Sequence, residues 1–381
     1  MGLTNKSILA FALLVMLALT ACQPNQNNSK TTQVYDKPSS LYTPAYANRF
    51  RIKYYSDHKR IEVIHPWDSA APPLVTLLSG DATFLKNNPS AIKIPVKRWV
   101  SVASTQISYA HQLNVLDQLV GMAEPQYVSN KKVQAGLATG KVRDVGTAFA
   151  PDIEILLALN PDMMMISPFK EDFYAPLRSA GIKMTTNSSY LENTPLGRME
   201  WLVFVAAFFN KEGEAIATVN EVANRYNKVK QLAAHANNKP CVMSGQIYQG
   251  VWYTPAAQSF NANFLKDAGV RYIFNDRPGT GSLSYDFETV YQAAAHCEYW
   301  MMMVNRAEAY SYSALNDEDP RYADFDAFKN RKVVYSNTHH SMLFEKGLLE
   351  PDVVLSDLVQ LFHPEIKTGS APVYYQKLSK E

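Results

Sequence analysis

Nothing limits the folds open to this chain more than the run from Leu196 to Ala236, which contains no proline and only two glycines, Gly197 and Gly213. Thr194 and Pro195 stand just before it, a good helix cap followed by a residue suited to the first helical turn. The run predicts a helix of about 40 residues, roughly 60 Å long. Gly213 marks where it would bend or break. A helix of that length serves as a strut between two bodies rather than as a flexible hinge.

Strands and helices alternate on both sides of the strut, the signature of parallel α/β sheets. Ahead of it, FRIKYYSDHKRIEVIHPW (Phe50 to Trp67) alternates as a β-hairpin turning at Ser56 and Asp57. VKRWVSVAS reads as a strand, TQISYAHQLNVLDQL as an amphipathic helix and DMMMIS as a further strand. Behind it, KPCVMSGQ, VRYIFN, YWMMMV and RKVVYSN read as strands, with SFNANFLKDAG and the closing PDVVLSDLVQLF as helices. A length of 381 residues suits two domains at about 100–200 residues each. The expected fold class is α/β, with two lobes of mostly parallel sheets joined by one long connecting helix.

Two phrases repeat across the strut. Asp152 and Glu154 in PDIEILLALNPDMMM correspond to Asp286 and Glu288 in YDFETVYQAAAHCEYWMMMV, and each phrase ends in a methionine-rich strand. A negative charge in the first turn of a helix is worth about 0.3–1 kcal/mol. Asp152 and Asp286 already fill the capping role, however, which leaves the two glutamates without one.

The N-terminus speaks for export. Lys6 precedes an apolar run from Ile8 to Ala21, broken by Thr20 and ended by Cys22, with the layout of a secretory signal. Its ending, LTAC, resembles the lipobox of bacterial lipoproteins, in which the peptide is cut before a cysteine that carries the lipids. The polar QPNQNNSKTTQ that follows suits a tether. Lys and Arg number 37 against 35 Asp and Glu, a net charge of +2 that gives no argument for nucleic acid. Nucleotide-binding, P-loop, nucleophile-elbow and zinc-protease motifs do not occur. Cys241 and Cys297 would form a disulfide in an exported compartment or remain two buried thiols.

Together these features resemble the substrate-binding proteins of ABC importers, in the class whose two lobes are joined by a single long helix. That class includes receptors for ferric siderophores, haem and cobalamin. The resemblance covers most of the chain after about Ile94 and rests on PDIEILLALNPDMMM, on DAG at Asp267 to Gly269 and on PDVVLSDL. It implies a lipoprotein signal at 1–22, a tether at 23–45, an N-terminal lobe at 46–193, a connecting helix at 194–236 and a C-terminal lobe at 237–381. It also implies an exported monomer, lipid-anchored through Cys22 on the periplasmic or outer side of a bacterial membrane. In such receptors one exposed glutamate on each lobe docks into arginines of the permease, and the matching positions are Glu154 and Glu288. Two charges held apart on rigid lobes set register and encounter rate more than affinity.

The resemblance places the ligand between the lobes, at the C-terminal ends of strands. On the first lobe this selects Ser104, Thr105 and Gln106, whose amides face an anionic group or simply start a helix. Tyr127, Phe149 and Phe169 each stand just past a strand or before a helix. On the second lobe, Trp252 and Tyr253 in GQIYQGVWYTP suit a wall that stacks on a flat ligand. Arg277 and Arg306 are candidates for carboxylate or catecholate oxygens, and His339 and His340 for an axial nitrogen on a chelated metal. His111 lies within a helix and reads as an ordinary surface or core histidine.

The expected function is a solute-binding lipoprotein that captures a ferric siderophore and delivers it to an ABC permease and its ATPase. Cobalamin and haem are the alternative ligands. No cofactor or resident metal and no catalytic residue is expected. An exported enzyme on an α/β scaffold, a hydrolase or oxidoreductase, is the rival, with Ser104, His339 or His340 and one acidic residue as its conceivable catalytic set.

Overall fold

The computed structural model describes residues 37–168, 171–369 and 371–379. The expected signal, Cys22 and the first part of the tether lie outside the described residues.

The chain opens with an antiparallel sheet. Strands β1 (Ser40–Tyr42), β2 (Phe50–Tyr54), β3 (Lys59–Val63) and β4 (Leu74–Ser79) follow one another, and β5 (Ile92–Lys93) adds to β4 in parallel. The β2–β3 hairpin is the one its alternation predicts; the sheet around it is larger than the sequence reading. Phe50, Ile52, Ile61, Val63 and Leu78 point inward, while Arg51, Lys53, Arg60 and Glu62 share the outer face.

The first parallel sheet contains β6 (Trp99–Ser101), β7 (Leu119–Met122), β8 (Arg143–Asp144), β9 (Met163–Ile166) and β10 (Met184–Thr186), in the order β10-β9-β6-β7-β8. Every pairing is parallel, as expected for strands separated by helices. Beyond the connector come β11 (Cys241–Ser244), β12 (Gln246–Tyr248), β13 (Val251–Pro255), β14 (Arg271–Tyr272), β15 (Ser282–Tyr285), β16 (Tyr299–Val304), β17 (Val333–Asn337) and β18 (Gln376–Lys377). The second main sheet has the order β14-β11-β16-β17-β18, with only β18 antiparallel. The strands β12, β13 and β15 form a separate antiparallel sheet that the sequence reading did not anticipate. Cys241 and Cys297 are joined as a disulfide.

The connector is helical where the sequence places it, but it is two helices rather than one, Pro195–Ala206 and Glu212–Ala234. The break falls before Gly213, and the residues around it show why. Lys59 of β3 donates to the Ala207 carbonyl at 3.0 Å and to Asn210 Oδ1 at 2.8 Å, and it pairs with Glu212. Val96 N–H takes the Phe208 carbonyl at 2.9 Å, and Asn210 adopts a left-handed φ of 57°. Carbonyls that would continue the helix are therefore spent on the N-terminal sheet and its neighbour. The second helix spans both cores: Ala215, Val219 and Val222 pack with the N-terminal apolar cluster, and Ala223, Tyr226 and Ala233 with the C-terminal one. The chain crosses back once more before its last helix, where Leu348 and Leu349 join the N-terminal cluster and Val354 onward the C-terminal one.

Candidate cleft and the two exposed glutamates

The C-terminal ends of β11 and β16 open into a cavity of about 230 Å³. Its walls come from Ser244 and Gly245 at the end of β11, from Met301 to Met303 of β16, and from the β12–β13 hairpin. Gly245 has a φ of +91°, and an added Cβ would sit 1.9 Å from the Tyr253 carbonyl oxygen, so only glycine lets the hairpin fold back this closely.

The hairpin's alternation decides which rings face the cavity. Successive strand residues point to opposite sides. Trp252 therefore points inward and is 0% exposed, stacked at 5.5 Å on Trp300, with its Nε1 donating to the Ser244 carbonyl at 3.1 Å. This corrects the expectation that Trp252 and Tyr253 form the wall together, since adjacent strand residues cannot share a face. Tyr253, 42% exposed, does line the cavity. Its companion is Tyr248, 64% exposed, on the same face of the hairpin. Sequence reasoning missed Tyr248; the turn at Gln249 and Gly250, both with positive φ, is the signal that would have set the register.

Asn261 and Met303 also border a second, smaller cavity, which reaches across to the other lobe through Thr105 and Arg198. The helix Ser104–Gln112 begins there, and its N-cap, Ala103, offers no side-chain acceptor. Ser104 and Thr105 are half-buried at this start. Gln106 faces away from the cleft: it is buried, its Oε1 accepts from Val102 N–H at 3.0 Å, and it bonds the Ser101 hydroxyl at 2.8 Å. Its assignment to the ligand is corrected, because its side chain closes the strand-to-helix turn from within.

The remaining candidates are dispersed. Tyr127 is 70% exposed at the exit of β7, and Phe149 meets Phe173 edge-on at 5.6 Å; neither borders the two cavities. Phe169 lies outside the described residues. Arg277 stands in an exposed loop 3.6 Å from Asp276. Arg306 is paired with Glu318 at 2.6 Å, so its charge is already matched within its own lobe. His339 and His340 meet at right angles, with the His340 Nε2 3.0 Å from the Ala307 carbonyl. His340 borders another cavity, of about 580 Å³, beside Tyr310, Tyr335 and Tyr374 at the C-terminal strand, apart from the tyrosine hairpin. A depression of about 380 Å³ on the N-terminal sheet is lined by Arg51 and Glu62, which satisfy one another. Among the described residues, no group of three or more His, Cys, Asp or Glu side chains is placed to hold a bare metal ion.

The paired phrases fold as paired devices. Asp152 caps the helix Ile153–Leu159 by accepting from Ile155 N–H at 3.0 Å, and Asp286 caps Phe287–Ala294 by accepting from Thr289 N–H at 2.7 Å. Hydrogen bonds from Thr289 hold the Asp286 carboxyl below its usual range. Glu154 and Glu288 are exposed in the first turns of these helices and take no part in the caps. Their surroundings differ: Glu288 has Arg321 at 3.5 Å, itself held by Asp319 at 2.7 Å.

A family model described as periplasmic binding protein matches residues 100–338. The chain is 27% identical over 359 residues to an uncharacterized lipoprotein of Methanocaldococcus jannaschii, covering 91% of this chain and 83% of the relative. Its fold is shared with a periplasmic heme binding protein from Pseudomonas aeruginosa, at a TM-score of 0.59 and 18% identity over 75% of this chain and 99% of that one. It is shared too with a periplasmic vitamin B12 binding protein of Vibrio cholerae, at a TM-score of 0.53 and 14% identity over 70% and 97% of the two chains. With parallel sheets on either side of a helical connector, a cleft at their strand ends and well over half its length matched, the chain belongs to the periplasmic binding protein family, whose members bind solutes rather than transform them.

Proposed function

We propose that this protein is the lipid-anchored solute receptor of an ABC importer, and that it captures a metal chelate of the ferric siderophore class between its lobes. The observation that carries this reading is the exposed tyrosine pair, Tyr248 and Tyr253, over a cavity at the strand ends. Rings presented to solvent at the ends of a parallel sheet offer flat, low-entropy contact area to a flat or aromatic ligand. Haem and cobalamin, the ligands of the two structural neighbours, are chelates of similar bulk and form the alternative arms of the test. Anchoring through Cys22 follows from the signal-like N-terminus and agrees with the name of the archaeal relative.

Delivery requires a permease, and Glu154 and Glu288 are the residues proposed to engage it. Each is exposed at the start of a helix whose cap is already supplied by an aspartate. The ligand reading is tested by titrating the full-chain protein in detergent with ferric enterobactin, ferrioxamine B, haemin and cyanocobalamin, following protein fluorescence. Saturable quenching at submicromolar concentration by one chelate supports it, and silence across the panel overturns it. For docking, the double variant Glu154→Ala with Glu288→Ala is expected to lose uptake while keeping the wild-type Kd. A loss of affinity in that variant would place the glutamates in the pocket instead.

A further inference from the structure

The helix Pro195–Ala206 is buried at every position except Arg198. That one side chain leaves the N-terminal core and reaches the cavity between the lobes, beside Thr105, Phe260 and Asn261. Its guanidinium lies 3.8 Å above the Phe260 ring. One nitrogen, Nη2, donates to the carbonyls of Tyr190 at 2.9 Å and Glu192 at 3.1 Å. Nε is buried without a partner.

Among the described residues, no carboxylate pairs with it directly. Glu192 acts on it only from beyond ion-pair distance, and its oxygens accept from the backbone N–H groups of Asn48 and Arg49 and from Trp201 Nε1. Three other arginines do have such a partner, Arg225 in Asp352, Arg306 in Glu318 and Arg321 in Asp319. Burial pulls the Arg198 pKa down, opposed by Tyr109 and Glu192, but a guanidinium stays charged in a protein. A largely buried cation whose direct partners are only carbonyls and a ring is costly. Arg198 borders the small cavity that adjoins the candidate cleft, where a ligand would supply a directly paired charge. Thr105 brings to the same cavity the start of a helix whose N-cap has no side-chain acceptor, which adds positive potential.

We propose that Arg198 binds an anionic oxygen group of the ligand, so that the cargo of this cleft is a polyanionic chelate rather than a neutral or cationic one. This rests on the reading of the cleft as the binding site. It also names its charge class, which neither Arg277 nor Arg306 supplies, since neither borders these cavities.

The test uses full-chain wild type, Arg198→Ala and Arg198→Lys in detergent, with thermal melts to confirm that each variant is folded. The probes are ferric enterobactin, a trianion; ferrioxamine B, a cation; haemin and its neutral dimethyl ester; and mellitate, a flat polycarboxylate without metal. A charge-assisted hydrogen bond lost from a desolvated site corresponds to about 10- to 100-fold in Kd. The expected result is that ferric enterobactin or haemin binds wild type in preference to its cationic or neutral counterpart. Arg198→Ala should lose about 10- to 100-fold, and Arg198→Lys should restore part of the loss. Equal binding of anionic and non-anionic chelates, or undiminished binding to Arg198→Ala, overturns the role of Arg198 while leaving the chelate reading intact. Silence of every chelate, with mellitate bound to wild type and lost in Arg198→Ala, sinks the chelate reading and retains the arginine. Silence of mellitate and chelates alike overturns both.

Discussion

Trp252 and Tyr253 are neighbours in sequence, yet the structure gives them opposite duties, and two substitutions separate these quantitatively. In Trp252→Phe the Ser244 carbonyl loses its indole donor, and leaving a buried acceptor unsatisfied costs about 1–3 kcal/mol. The smaller ring also leaves a void against Trp300 and Phe325, worth about 1 kcal/mol more. A total of about 2–4 kcal/mol is expected as a fall in the urea midpoint with little change in slope. Ligand affinity should stay within about twofold of wild type, because no atom of the indole faces the cavity. Tyr253→Ala removes an exposed ring, so its stability should change by no more than about 0.5 kcal/mol. Its affinity should fall roughly 3- to 10-fold, the worth of one aromatic contact. Urea unfolding and fluorescence titration with whichever of haemin or ferric enterobactin saturates would be read side by side. An unchanged midpoint with lost affinity in Trp252→Phe would return the indole to the ligand wall and refute the assignment of faces.

Glu62 supplies a pH test on the outer face of the N-terminal sheet. Burial raises its pKa, but hydrogen bonds from Lys53, Arg60 and Arg51 outweigh this and bring it down to about 2. A carboxylate whose folded pKa is depressed adds stability above its unfolded value, and that stability drains away as pH falls toward the folded one. The melting temperature gap between wild type and Glu62→Gln should thus be constant above about pH 5 and close between about pH 4.5 and 2; a gap that widens on acidification would contradict it. Lys59→Met should destabilise by about 2 kcal/mol, since it strips the Ala207 carbonyl, Asn210 and the half-buried Glu212 of their shared donor. A neutral result in urea would mean that the connector breaks for another reason. Closure on ligand binding should be small, because one helix is packed into both cores; a large drop in radius of gyration by small-angle scattering would sink this.

Periodicity and punctuation carried most of what the sequence revealed. The proline-free run located the connector, the parallel strands emerged as short apolar stretches between helices, and the two Asp-x-Glu phrases marked matched helix starts with the aspartates as caps. Long-range partners were not legible. At Ala207–Lys211, where the connector breaks, Lys59, almost 150 positions upstream, takes the Ala207 carbonyl and the Asn210 side chain while Val96 N–H takes the Phe208 carbonyl, and no local propensity records that. Gln106 sits where a ligand contact belongs, but the turn it closes consumes its side chain. Gly245 drew no reading in the sequence, because its need for a bare backbone comes from the Tyr253 carbonyl that folds back on it.

Arg198 shows the same limit from the functional side. In the sequence it is one polar residue in the first turn of a strongly apolar helix, PLGRMEWLVFVA, which by pattern alone is a solvated edge. Only the fold shows that this edge meets the cavity, that Phe260 lies beneath the guanidinium, and that Glu192 has been taken by backbone donors from Asn48 and Arg49. The arginines that drew attention in the sequence stood in loops, where charge is easily noticed, and Arg306 proves to be neutralised by Glu318. A charge is informative about a ligand when the protein has declined to pair it, and pairing is a property of the folded chain. For this cleft, the group worth following is therefore Arg198, held by carbonyls and a ring rather than by a direct ion pair, with the tyrosine pair supplying the surface over which the proposed ligand would lie.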